Sequence, residues 1–165
     1  PIPHVRRSKI GPFVRTQCLK YFISVTAMAQ RTGLAADCIS KIMDGRTKQP
    51  NSETLRKLHG VFKTSADDVD RFSPEKDAIA ISKNTLIAFL KSYRIQYNLT
   101  NTEMARRCNI AVGTYGRFLE NRDANYQMGT LQKICEGLGV RPRDISDFGQ
   151  RLTVAEKALK SRLAL

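Results

Sequence analysis

The chain has 165 residues, with 28 Lys and Arg against 15 Asp and Glu and a formal net charge of +13. No stretch approaches the roughly 18 apolar residues of a membrane span, and the opening Pro1-Ile2-Pro3-His4-Val5-Arg6-Arg7 has charge but no apolar core of a secretory signal. So large a cationic excess opposes compaction and points to a polyanionic partner.

In chain order, Pro12 falls early in a first helix, where its missing N–H does least harm. Ser24 is placed to cap a second helix, with Met28 and Ala29 facing inward and Gly33 making the turn that follows. Leu34, Ile39 and Ile42 read as core, and Gly45 ends a third helix. Leu55, Leu58 and Phe62 recur at the spacing of a fourth.

A polar segment, Ser73-Pro74-Glu75-Lys76-Asp77, then interrupts the pattern. Beyond it, Leu86, Phe89, Leu90 and Tyr93 predict a helix over about 83–97. Thr100 precedes Glu103 by three, the spacing of a capping box, and opens a short helix over about 101–108 with Met104 and Ala105 inside. Asn109 suits the left-handed turn that ends it. A helix over about 112–120 buries Tyr115, Phe118 and Leu119 and closes at Asn121. Another, over about 128–137, rests on Leu131, Ile134 and Cys135, with Gly137 and Gly139 around its end. Pro142 starts a last short helix carrying Ile145 and Phe148. Finally, Thr153-Val154-Ala155-Glu156 reads as a second capping box, leading a C-terminal helix with Leu152, Ala155, Leu159 and Leu163 along one face. That helix is too short to stand alone, so it packs on its own domain or on a second copy of the chain.

The chain repeats itself. Aligned without gaps at an offset of 76, residues 13–72 and 89–148 share 13 identities in 60 pairs, among them Phe13/Phe89, Met28/Met104, Ala29/Ala105 and Arg46/Arg122. Apolar positions coincide as well: Leu34 meets Ile110, Leu58 meets Ile134 and Val69 meets Ile145. We therefore expect an all-α protein of two tandem five-helix domains plus a C-terminal helix. The boundaries are 1–72 for the first domain with a basic arm, 73–81 for a linker, 82–149 for the second domain and 150–165 for the tail. These segments carry +7, −1, +4 and +3, so both halves are basic.

Small residues on the second helix of each copy, Ala29 and Ala105, followed by Gly33 and Asn109, allow two helices to cross about a tight turn. At these residues the chain resembles the Cro/lambda-repressor-like helix-turn-helix family. The matching stretches are Ser24 to Leu34 and Ile39 to Gly45, then Thr100 to Ala105 and Tyr115 to Asn121, with Glu53 to Leu58 similar to that family's fourth helix. The resemblance covers about 130 residues as two domains. It implies sequence-specific binding of double-stranded DNA by a transcription regulator, a repressor above all, of bacterial or phage origin and cytoplasmic, at the nucleoid.

The resemblance also implies which faces act. The start of the second helix, Ser24 and Val25, then Thr100 and Asn101, meets phosphate. The recognition helices, about 36–44 and 112–120, enter the major groove with Ala36, Asp37, Ser40 and Lys41, then Val112, Gly113, Thr114 and Arg117. The sequence departs from the pattern at Val25, where a polar residue is common, and in recognition helices poor in long polar side chains.

Lys41 and Arg117 are equivalent; either a guanine edge or a phosphate suits them. Arg46, Lys48 and Arg122 follow in the connecting loops as phosphate contacts. Asp37 suits an acid at a helix N-terminus, or an acceptor for a cytosine amino group. Arg6, Arg7 and Lys9 suit an arm along the duplex or a disordered tail.

Nothing points to an enzyme, a cofactor or a small-molecule ligand. Cys18, Cys38, Cys108 and Cys135 lack the spacing of zinc ligands, His4 and His59 lie far apart, and no nucleophile set is evident. The cysteines read as small core side chains in a reducing compartment. Gly137-Leu138-Gly139 follows no strand, so it is no nucleotide loop. The partners expected are duplex DNA and, through 152–163, a second copy of the chain. The alternative is a protein-interaction module, antitoxin-like or anti-activator, in which one copy binds a protein.

Overall fold

The structure, a computed structural model, describes residues 8–120 and 125–164. Among them all regular structure is helical. The chain divides into two compact units, Pro1–Ile79 and Ala80–Leu165.

The first unit contains α1 (Ile10–Tyr21), α2 (Val25–Thr32), α3 (Ala36–Met43), α4 (Ser52–Phe62), α5 (Ala66–Arg71) and the single turn α6 (Pro74–Asp77). Local chemistry sets the boundaries. Ser24 Oγ accepts from Ala27 N at 3.1 Å to start α2, and Asn51 Oδ1 accepts from Thr54 N at 2.8 Å to start α4. Gly33 and Gly45, at φ 72° and 76°, supply the left-handed residues after α2 and α3. Phe13, Val14, Cys18, Met28, Ile39, Ile42, Leu58 and Phe62 form one core, sealed by Phe72 edge-on to Phe13 at 5.5 Å. Leu34, Ala29 and Leu55 are only half-buried and pack against it.

The stretch 73–81, expected as a linker, carries α6 and buries both Ile79 and Ile81. Ile79 N donates to Thr16 Oγ1 of α1 at 3.1 Å. The boundary between the two units falls within this stretch, after Ile79.

The second unit contains α7 (Lys83–Gln96), α8 (Asn101–Arg107), α9 (Val112–Glu120), α10 (Met128–Leu138) and α11 (Pro142–Leu163). Leu86, Leu90, Met104, Tyr115, Leu131, Ile134 and Ile145 are fully buried, while Phe118 and Leu119 are half-buried. Thr100 and Glu103 make both bonds of the capping box, at 3.2 and 2.7 Å. Asn109 is left-handed at φ 52° and Gly139 at φ 66°. Gly137 is the penultimate residue of α10. A Cβ there would overlap Arg107 O and lie 2.7 Å from Cys108 Cα, so glycine lets α10 press on the end of α8.

The largest difference from expectation is α11. It runs unbroken for 22 residues, where the sequence suggested a short helix and a separate tail. Gly149 does not break it, and Thr153 Oγ1 donates back to Gly149 O at 3.0 Å, the bond of a helix-interior threonine and not of a cap. Its first turns bury Ile145, and Phe148 meets Phe89 edge-on at 5.6 Å. Residues 151–164 are all exposed, with Val154, Leu159 and Leu163 at 68%, 60% and 78%. The tail therefore does not pack on its own domain.

Candidate nucleic-acid interface

In the first unit α3 is held from behind by Ile39 and Ile42, both fully buried. Two residues that sequence reasoning missed fix its end. A Cβ at Gly11 of α1 would sit 2.6 Å from Ile42 O, so α1 approaches α3 closely. The Arg15 guanidinium donates to Met43 O and satisfies a free carbonyl at the α3 terminus. Nothing in the local pattern distinguishes Arg15 from any other exposed helix cation.

Ala36, Asp37 and Lys41 share the exposed face of α3, with Ser40 half-buried beside them. Lys41 Nζ lies 2.6 Å from Asp37 Oδ2, and Arg46 lies 3.0 Å from Asp44 in the loop that follows. The Lys41 ammonium, hydrogen-bonded to Asp37, holds that carboxyl below its usual range. Lys48 is exposed, and its carbonyl accepts from Ser8 Oγ at 2.8 Å. Ser24 is engaged as the α2 cap, and Val25 is half-buried against the core.

In the second unit Tyr115 anchors α9 in the core, and Lys83 Nζ sits 4.7 Å from the Phe118 ring centroid. Val112, Gly113, Thr114 and Arg117 are exposed together, and Gly116 is half-buried. Above both glycines there is open space: a Cβ would meet nothing within 4 Å. Arg117 forms no ion pair with any described residue. Thr100 has its N–H taken by Glu103 and its hydroxyl accepts from Glu103 N, while Asn101 is exposed. Arg122, Asn121, Arg6 and Arg7 lie outside the described residues.

Among the described residues no three His, Cys, Asp or Glu side chains are grouped to hold a metal, and no helix is long and apolar enough to cross a membrane. Burial pushes the Cys18 and Cys135 thiols up to about 12 and Cys108 to about 11.

Residues 89–150 match the family model of the Cro/C1-type HTH DNA-binding domain. The match takes in most of α7, all of α8 to α10 and the packed start of α11, so this segment is similar to an HTH DNA-binding domain. No curated protein and no solved structure matches the chain.

Proposed function

We propose that the chain is a sequence-specific regulator of transcription that binds double-stranded DNA through two tandem five-helix helix-turn-helix domains. The observation that carries the reading is α9. It is an exposed helix, fixed by a buried tyrosine, presenting Arg117 within the segment that matches a DNA-binding domain. Repression is the sign of regulation that the resemblance implies, in the cytoplasm of a bacterium at its nucleoid. We infer no catalytic activity. The reading elements are α3 and α9, with Ser24, Thr100, Asn101, Arg46, Lys48 and Arg122 on phosphates. The exposed tail of α11 joins two copies of the chain.

Selection of duplexes from a random library tests this reading. A recovered consensus supports it, with binding that weakens steeply as salt rises because phosphate contacts release counterions. Uniform recovery of all sequences reduces the chain to a nonspecific DNA binder, and no recovery removes DNA from the reading.

A protein-binding role for the first unit has one observation in its favour. Lys41 on its α3 face is paired with Asp37, and Arg46 in the loop that follows with Asp44.

A further inference from the structure

The offset of 76 residues that relates Lys41 to Arg117 also relates Asp37 to Gly113 and Ser40 to Gly116. The two reading helices thus carry the same cation on different surroundings. On α3 the cation has a carboxylate one turn before it, at 2.6 Å. On α9 that position is glycine, and Arg117 has no ion-pair partner among the described residues.

Guanine presents two acceptors to the major groove, and arginine offers a planar fork of donors that matches them. An acid beside the cation competes for those donors and brings negative charge toward the acceptors and the phosphates. Asp37 does both on α3; on α9 no described carboxylate, Glu120 included, pairs with Arg117. The glycines add a second asymmetry. Glycine weakens a helix, and no contact inside the fold requires Gly113 or Gly116, since both face open space. A bare helix surface lets base edges come nearer the backbone and brings the Arg117 fork deeper. The DNA-binding family match, independently, falls on this unit.

We propose that base selection is concentrated in the second unit, through Arg117 on the bare turn of α9, while α3 of the first unit meets the duplex as a self-neutralised surface with little sequence preference. The inference rests on the DNA-binding reading above. It makes Asp37 a residue that silences Lys41 and Gly113 one that leaves Arg117 available.

The test uses the full chain with two probes: a duplex selected from a random library by the wild-type chain, and the unselected pool. The readout is the ratio of the two affinities. Arg117→Ala and Arg117→Lys lower the ratio by about 5- to 150-fold, the loss of one bidentate base contact. Gly113→Asp, which gives α9 the acid of α3, lowers it in the same direction. Lys41→Ala leaves the ratio within about twofold of wild type. Thermal melting checks that each variant is folded, and Arg117→Lys keeps the charge, so its loss cannot come from net electrostatics.

A ratio lost equally in Lys41→Ala overturns the proposal, as does a ratio unchanged in Arg117→Ala, and the DNA-binding reading survives both results. A wild-type chain that selects no duplex overturns that reading, and the proposal with it.

Discussion

Asp37 and Lys41 stand one turn apart on α3 and meet at 2.6 Å, both largely in solvent. A pair of this kind stabilises a helix by only about 0.2–0.5 kcal/mol. Its importance is positional. The pair occupies the α3 face proposed above to meet DNA, where phosphate contact would have to compete with it.

Two glycines of the second unit give opposite responses to the same substitution. Gly113→Ala places a methyl group in open space and removes glycine from a helix, so it raises stability by about 0.5–1 kcal/mol. Gly137→Ala drives a methyl group into the backbone at Arg107 and Cys108 and lowers stability by about 1–3 kcal/mol. Denaturant unfolding of the two variants, both in the second unit, checks the signs.

The capping box at α8 sets an acid limit. The Thr100 backbone N–H, and then its hydroxyl, hold the Glu103 carboxyl below its ordinary 4.5. Its contribution is therefore full above that value and is lost as pH falls through the lowered one. Unfolding midpoints measured against pH should show Glu103→Gln below wild type at neutral pH, with the gap closing in acid. A gap independent of pH would leave the ionised carboxylate without a part in stability.

Thiol labelling separates the cysteines. Cys18, Cys108 and Cys135 are buried and their thiols titrate far above neutral, whereas Cys38 is half-exposed on α3. A maleimide at pH 7 should add once to the native chain, at Cys38, and to all four cysteines in denaturant. Mass spectrometry reads the number and the position.

The tail is tested by charge. Leu159→Asp together with Leu163→Asp changes two exposed residues and leaves the packed start of α11 intact. If the tail joins two copies, the full chain sediments as a dimer at micromolar concentration and the double variant as a monomer. Equal masses take the tail out of assembly.

Much of the helical plan was legible because short-range chemistry wrote it. Thr100 with Glu103, Gly33, Asn109 and Pro142 punctuate helices through their own side chains or backbone freedom, and the apolar spacing between them has one period. What stayed hidden depends on packing between distant segments. Gly137 near a helix end reads as a stop, and only the approach of α8 shows that it is a contact. Thr153 reads as a cap until the preceding turn, held in place by Ile145 and Phe148, continues through it. On the proposed reading faces, exposure of Lys41 and Arg117 was implied by the family resemblance, and both are exposed. The pairing of Lys41 with Asp37 had its signal in a spacing of four residues, which was read instead as an acid at a helix start.

The continuity of α11 alters what association through the tail would involve. A free peptide of that length in water must first order a turn, an unfavourable nucleation step, before each further residue adds a hydrogen bond. Here the nucleus is supplied by the domain, since the turns around Ile145 are locked in place and the tail only propagates from them. A partner would meet a surface that is already shaped. Association would proceed without coupled folding, with little ordering entropy to set against the apolar contact and no large gain in helicity on binding.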